Sequence, residues 1–113
     1  AASDVYKRQV EQYRLRRDYV MRRISEIPGL SCHAPAGTFY AFIDISQLGM
    51  PCEEFAMKLL EERQVVVVPG TAFGEFGEGY IRLSYATSMQ CLEQGLQELE
   101  EFVRSHKTEG DPA

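Results

Sequence analysis

The chain is organised around residues 65–88, which read VVVVPGTAFGEFGEGYIRLSYATS. Val65–Val68 is a continuous β-branched run, which is typical of a strand buried on both faces, and the Pro and Gly that follow end it. Residues 70–79 carry four of the nine glycines of the chain and predict a loop. Tyr80–Tyr85 alternates between apolar and polar side chains and predicts a second strand.

The predicted strand at 80–85 has two unlike faces, because successive side chains of a strand point to opposite sides. One face is apolar and carries Ile81, Leu83 and Tyr85. The other face carries Tyr80, Arg82 and Ser84.

A closing helix is predicted directly after this strand. Residues 87–90, TSMQ, have the capping-box pattern with Thr87 as the N-cap. The helix is expected to run to about His106. Its core-facing stripe comprises Leu92, Leu96, Leu99 and Val103.

Upstream, an amphipathic helix is predicted from Val10 to Ile27. Its apolar residues recur at helical intervals and fall on one face: Val10, Tyr13, Val20, Ile24 and Ile27. Pro28-Gly29 ends it. Residues 1–9 show no clear pattern, and they are either the start of this helix or foreign or linker residues.

Between this helix and residue 65, a strand and a second helix are predicted. Thr38–Ile45 is rich in aromatic and β-branched residues, and it is expected to be covered on both sides for most of its length. Pro51 suits the first position of a helix, and the two glutamates that follow suit its positive end. The buried stripe of this helix is expected to comprise Phe55, Ala56, Leu59 and Leu60.

Together these elements predict an α/β fold in two layers, a small and mainly antiparallel sheet covered by helices. Residues 10–106 form the predicted domain, and residues 107–113 form a polar tail. A chain of 113 residues is long enough for one modest core.

Composition and charge exclude several classes of function. With 44% hydrophobic residues, 26% charged residues and a net charge of −5, the chain resembles an ordinary globular protein, and nucleic acid is not an expected partner. The three cysteines show no disulfide or zinc spacing and are expected to be small, reduced core residues. No apolar run approaches a membrane span, so a cytoplasmic location and no membrane partner are expected. The chain begins with Ala rather than Met, which favours a fragment.

Arg82 is the strongest candidate for a ligand-binding residue. It stands on the polar face of a strand, beside a glycine-rich loop that lets a ligand come close. Its planar guanidinium suits a carboxylate held by two hydrogen bonds, although the alternation alone favours a solvated arginine on an open sheet face. The glycines match neither a dinucleotide fingerprint nor a P-loop. His33 and His106 are isolated, so no metal is expected.

The segment 65–88 closely resembles the run near the C-terminus of fold-type I, class I/II aminotransferases, especially the aspartate aminotransferase subgroup. Residues 13–18 are similar to the Y-x-x-R-R-D helix of that family. Residues 35–42 are similar to its P-x-G-x-F-Y-x-F strand entry. The likeness runs from about residue 10 to residue 106, in the family's order and spacing.

This resemblance implies that the chain is the C-terminal small domain of a pyridoxal-phosphate (PLP) dependent aminotransferase. Arg82, in Arg-Leu-Ser, occupies the position of the arginine that binds the α-carboxylate of the substrate. Phe39 matches an aromatic position near the substrate, although a core role explains it equally well. The loop at 70–79 is implied to lie at a domain interface and to move on closure.

The resemblance also implies what this chain lacks. The lysine that binds PLP covalently lies upstream in the family, and the lysines here, Lys7, Lys58 and Lys107, stand outside its motif. No catalytic residue is therefore expected, and the chain alone is expected to be inactive. The implied substrates are an amino acid and a 2-oxo acid, and the implied assembly is a homodimer. A PLP-dependent lyase or synthase of the same fold, and a free-standing amino-acid-binding or dimerisation module, remain alternatives.

Overall fold

A computed structural model describes residues 2–33 and 39–107 of the chain. Within these ranges the chain forms three α-helices and four β-strands, joined in part by short 3-10 turns. In chain order they are α1 (Ala2–Ser25), β1 (Ser31–His33), β2 (Tyr40–Asp44), α2 (Cys52–Arg63), β3 (Val68–Pro69), β4 (Tyr80–Ser84) and α3 (Met89–Lys107).

The four strands form one antiparallel sheet in the order β1-β2-β4-β3. β4 is an inner strand, and its register sets Arg82 opposite Phe42 of β2 and Val68 of β3. The predicted α/β arrangement, a small antiparallel sheet covered by helices, is confirmed.

One apolar core lies between the sheet and the helices. The sheet contributes its alternate side chains, of which Ile43 and Ile81 are fully buried. On α3 the predicted stripe is confirmed, since all four of its members are at most 3% exposed. Phe102 joins this stripe, and its ring meets Phe55 of α2 edge to face at 5.1 Å between centroids. Helices therefore cover one face of the sheet, and the face that carries Arg82 stays open.

The first helix begins earlier and buries less than the sequence predicts. It begins at Ala2, so residues 2–9 are helical, and its fully buried residues, Val20 and Ile24, lie in its second half. Val10, at the start of the predicted apolar face, is 37% exposed. A helix of 24 residues is about 36 Å long, about twice the length of a five-residue strand, so its first half extends past the sheet.

Two predicted strands are less buried than expected. β2 buries Ala41 and Ile43, but its opposite face is only partly covered and Tyr40 is 37% exposed. The strand predicted at 65–68 is reduced to Val68–Pro69, and Val66 is 72% exposed. Both errors have the same cause: the sheet has a helical layer on one side only, and β3 is also an edge strand.

Details at two helices also differ from the sequence-based expectation. On α2, Phe55 and Leu59 are buried as predicted, but Leu60 is 49% exposed. The cap of α3 is Ser88 rather than Thr87, because the Ser88 hydroxyl accepts a hydrogen bond from the Cys91 N–H at 3.1 Å. The capping pattern thus acts one residue later than predicted.

The cysteines are free, as expected, but they are not all core residues. Cys52 is buried and Cys32 is partly buried, whereas Cys91 is exposed on the first turn of α3. Several predicted features lie outside the described residues. They are Pro35 and Gly37 of the resemblance motif, Thr38 at the start of the predicted strand, and residues 108–113 of the tail.

Candidate carboxylate-binding site

Arg82 lies near the middle of β4, on the open face of the sheet, and its side chain is partly buried. The buried neighbours in the strand, Ile81 and Leu83, point to the core, so alternation fixes Arg82 on the other side. Tyr40 is two residues from Phe42, the cross-strand partner of Arg82, and is therefore its diagonal neighbour on the same face.

Two aromatic rings hold the guanidinium of Arg82. Its Cζ lies 4.2 Å from the ring centroid of Tyr40 and 4.4 Å from that of Phe73. Phe73 comes from the 3-10 turn Gly70–Phe73, and its ring meets Phe42 edge to face at 6.4 Å. A cation over an aromatic ring is attracted by the ring's electrons. The arginine is thus fixed by the sheet and by the glycine-rich segment together.

Arg82 has no carboxylate partner in the part of the chain that the structure describes. Four other arginines there, Arg17, Arg23, Arg63 and Arg104, lie within 4 Å of carboxylates, for example Arg23 with Glu100 at 3.0 Å. Across residues 2–33 and 39–107, Arg82 makes no such pair. Asp44, two residues from Phe42 on the same face, accepts hydrogen bonds from the N–H and hydroxyl of Ser46. The guanidinium donors therefore remain available to an external anion.

The glycine-rich segment is folded back on itself rather than open. Its two 3-10 turns, Gly70–Phe73 and Glu75–Gly77, meet where Gly70 touches Gly77. A Cβ on Gly70 would lie 2.0 Å from the Gly77 carbonyl oxygen, and one on Gly77 would lie 1.9 Å from the Gly70 oxygen. Only glycine allows this approach. The contact sets the path of the turn that carries Phe73.

Side chains tie the same segment to the start of α2. The Glu78 carboxylate accepts hydrogen bonds from the N–H groups of Cys52 at 2.8 Å and Gly79 at 2.9 Å. The bond from the Cys52 N–H has the largest effect and lowers the pKa of Glu78 below its ordinary value; desolvation opposes it, and the weaker effect of the Gly79 bond adds to the lowering. The Thr71 hydroxyl donates to Glu53 of α2 at 2.9 Å. Glu78 is thus the N-terminal cap of a helix that lies earlier in the chain.

Phe39, the weaker site candidate, lies elsewhere. Its ring packs against Tyr13 of α1 at 4.5 Å between centroids, and the residue is 44% exposed. Nearby, the Arg16 side chain donates to the Thr87 carbonyl at 2.6 Å and so ties α1 to the end of β4. The structure thus places Phe39 and Tyr13 at the contact between α1 and the sheet, rather than in the ring pair around Arg82.

Other predicted candidates occupy ordinary positions. His33 ends β1, and His106, near the end of α3, lies 2.9 Å from Glu62. Three acidic residues of α3 pair with arginines of other helices: Glu98 and Glu101 with Arg63 of α2, and Glu100 with Arg23 of α1. Within the described ranges no three potential ligands among His, Cys, Asp and Glu gather to hold a metal.

Two open grooves lie apart from Arg82. One, of about 390 Å³, runs between the end of α2 and the start of α3 and includes Cys91. The other, of about 330 Å³, lies between α1 and residues 86–88. Arg82 lines neither of them and is presented on an open sheet face.

None of the described helices is both long and apolar enough to span a membrane.

The sequence pointed to Arg82 but not to the residues that hold it. Tyr40 and Phe73 lie in the two stretches that resemble the family, residues 35–42 and 65–88, but no pattern there links either ring to Arg82. Glu78 could be recognised only as the one acid directly before Gly79 and β4. Their roles depend on register and on the path of the glycine-rich segment.

The comparisons with known proteins agree on one family. The model of aminotransferase class I and II matches residues 2–99. The aspartate aminotransferase of Pyrococcus horikoshii is 44% identical over 97 residues, covering 86% of this chain and 25% of that protein. The aromatic-amino-acid aminotransferase 2 of Thermococcus litoralis is 42% identical over 96 residues, covering 85% and 24%. The chain thus spans about a quarter of the length of these curated relatives.

Solved structures give the same result. The crystal structure of the aromatic aminotransferase from Pyrococcus horikoshii matches with a TM-score of 0.87 and 38% identity, covering 92% of this chain and 28% of that one. A PLP-bound protein from Clostridium difficile 630 matches with a TM-score of 0.81 and 27% identity, covering 89% and 27%. Since the family model covers most of the sequence and the fold agrees, the chain belongs to the aminotransferase class I and II family.

Proposed function

We propose that this chain is the C-terminal small domain of a longer PLP-dependent aminotransferase, in which Arg82 binds the α-carboxylate of the amino acid and of the 2-oxo acid. The enzyme would transfer an amino group between these two substrates. The contribution of this chain is to hold and orient the carboxylate.

The observation that carries the proposal is the state of Arg82. Its guanidinium is held by Tyr40 and Phe73, lies on an open face, and has no carboxylate partner among the described residues. A guanidinium presents paired N–H donors that match the two oxygens of a carboxylate. A permanent cation that is fixed in place and unpaired is well suited to bind an anionic ligand. The Arg-Leu-Ser resemblance supports the same role.

The residues described here do not fit a covalent PLP site. Lys7 lies on the exposed part of α1, and Lys58 pairs with Glu54 on α2 at 3.7 Å. Neither shares the open sheet face with Arg82. We therefore assign PLP, which supplies the electron sink of the reaction, to the rest of the longer enzyme. The chain alone should not catalyse transamination.

The test is Arg82→Ala in the longer enzyme. Loss of a buried charge pair of this kind typically costs about 2–5 kcal/mol, so kcat/KM for an amino acid should fall by roughly 30-fold to 4,000-fold. Arg22→Ala is the matched control, because Arg22 also lies over an aromatic ring, that of Tyr19 at 5.3 Å, but on α1. Equal activity of the Arg82 variant and the control would exclude the assignment.

Two further measurements separate the alternatives. Product analysis with and without a 2-oxo acid acceptor distinguishes transfer of the amino group from a lyase or synthase reaction. Titration calorimetry on this chain should show little binding of amino acids, whereas a free-standing amino-acid-binding module would bind them. As part of the same proposal, the enzyme is a cytoplasmic homodimer, which sedimentation of the longer protein would test.

A further inference from the structure

The contacts of Arg82 come from two separate parts of the fold. Tyr40 belongs to β2, and Phe73 belongs to the turn at Gly70–Phe73. Both rings approach the Arg82 Cζ to within 4.4 Å. The contact with Tyr40 therefore depends on the register between β2 and β4, and the contact with Phe73 depends on the path of the glycine-rich segment.

Phe73 is itself held in place. Its ring meets Phe42 at 6.4 Å and 80°, an edge-to-face geometry. The turn that carries it is fixed by the contact between Gly70 and Gly77 and by the hydrogen bond from Thr71 to Glu53. A ring that is supported in this way can restrain a flexible arginine side chain.

Restraint matters because arginine is long and has many rotamers. A side chain that must be ordered when a ligand binds reduces affinity, and one that is ordered beforehand does not. The attraction between a guanidinium and an aromatic face also needs no carboxylate. Aromatic contacts can therefore fix Arg82 while its hydrogen-bond donors stay free for substrate.

We propose that Tyr40 and Phe73 are positioning residues, which hold Arg82 in the orientation that receives the substrate carboxylate. This inference rests on the proposed function of Arg82. It assigns two further residues to the site, and it gives the glycine-rich segment the task of presenting Phe73.

The principal test uses the longer enzyme and two competing ligands, an amino acid and the amine formed by its decarboxylation. The inhibition constant of the amine divided by that of the amino acid measures the carboxylate contact alone, because general destabilisation weakens both ligands. Phe73→Leu and Tyr40→Leu should each reduce this ratio by about 3- to 10-fold. Phe73→Tyr and Tyr40→Phe keep the rings and should retain the wild-type ratio.

The outcomes separate the two proposals. If Arg82→Ala abolishes the preference for the amino acid but the leucine variants leave it unchanged, the positioning role is wrong and the proposed function stands. If Arg82→Ala leaves the preference unchanged, the proposed function fails and the positioning role fails with it.

A second measurement needs no activity. In an NMR spectrum of the 113-residue chain, ring currents from Tyr40 and Phe73 should move the side-chain protons of Arg82 away from their ordinary shifts. Phe73→Leu should move them back, whereas Phe73→Tyr should not. Both residues are partly exposed, so the variants should fold, and the amide spectrum reports this directly. A folded Phe73→Leu chain with unchanged Arg82 shifts would overturn the inference.

Discussion

Gly70 and Gly77 lie backbone against backbone, so close that neither position has room for a Cβ. This contact closes the glycine-rich segment into a compact unit beside Arg82. The sequence predicted a loop here, but it does not reveal which two of the glycines meet.

Gly70→Ala should therefore destabilise the chain by about 1–3 kcal/mol, the usual range for forcing extra volume into a packed site. The added Cβ would lie 2.0 Å from a carbonyl oxygen that cannot easily move. Urea unfolding followed by circular dichroism measures the change. Gly95→Ala is the control, since Gly95 lies within α3 with no heavy atom near its Cβ position, and it should gain about 0.5–1 kcal/mol. Equal stability of the two variants would contradict the close contact.

Stability should also depend on pH through Glu78. The pKa of its carboxyl is lowered in the folded chain, so the unfolded chain takes up a proton first as the pH falls. The stabilisation is fully present above the ordinary glutamate value of 4.5 and is lost as the pH falls through the lower folded value. Glu78→Gln should be less stable than wild type at pH 7, and its urea midpoint should decline less between about pH 5 and pH 3.

The matched control for this pH dependence is Glu93→Gln, which changes an exposed glutamate on α3. It should keep the wild-type slope. If Glu78→Gln and wild type lose stability in parallel over this range, Glu78 does not cap α2 as a carboxylate.

The three thiols should react at very different rates. Cys91 is exposed, Cys52 is buried, and burial raises the pKa of the Cys32 thiol to about 11. At pH 8 the Cys32 thiol would be ionised to the reactive thiolate in only about one protein molecule in a thousand. Labelling with a maleimide should show one fast site, and peptide mass spectrometry should assign it to Cys91. A fast phase that survives in Cys91→Ser would refute this assignment.

The start of α3 provides a test at the level of single atoms. Ser88→Ala removes the hydroxyl that accepts from the Cys91 N–H and should cost about 1 kcal/mol. Thr87→Ala should cost less, because Thr87 is bonded to Arg16 through its backbone carbonyl, which alanine retains. Urea unfolding of both variants decides between them. If Thr87→Ala cost more stability than Ser88→Ala, the cap would be Thr87, as the sequence predicted.

Sequence patterns predicted features that depend on neighbouring residues in the chain, and they failed where a feature depends on which other elements pack nearby. The alternation at 80–85 was sufficient to place Arg82 and Ile81 on opposite faces of the strand. When one face of a strand is buried, apolar and polar residues alternate along its sequence. The run at 65–68 was misleading, because its composition cannot tell whether a neighbouring strand or helix will cover Val66. That information lies in the strand order, which makes β3 an edge.

The candidate site shows the same limit. Arg82 was found through its strand and its motif, whereas its contact with Tyr40 requires the register between β2 and β4. Its contact with Phe73 requires the path of a segment whose shape depends on a backbone contact seven residues apart. Distances of this kind follow from the assembled fold and have no local pattern.

The cap on α2 has a consequence for how the chain folds. The residue that accepts from the first N–H of this helix stands 26 positions further along the chain. Until that distant carboxylate arrives, the first turn of α2 has an unsatisfied donor and should fray. We therefore expect completion of the helix start to be coupled to docking of the glycine-rich segment, so an α2 peptide made alone should be frayed at its N-terminal end.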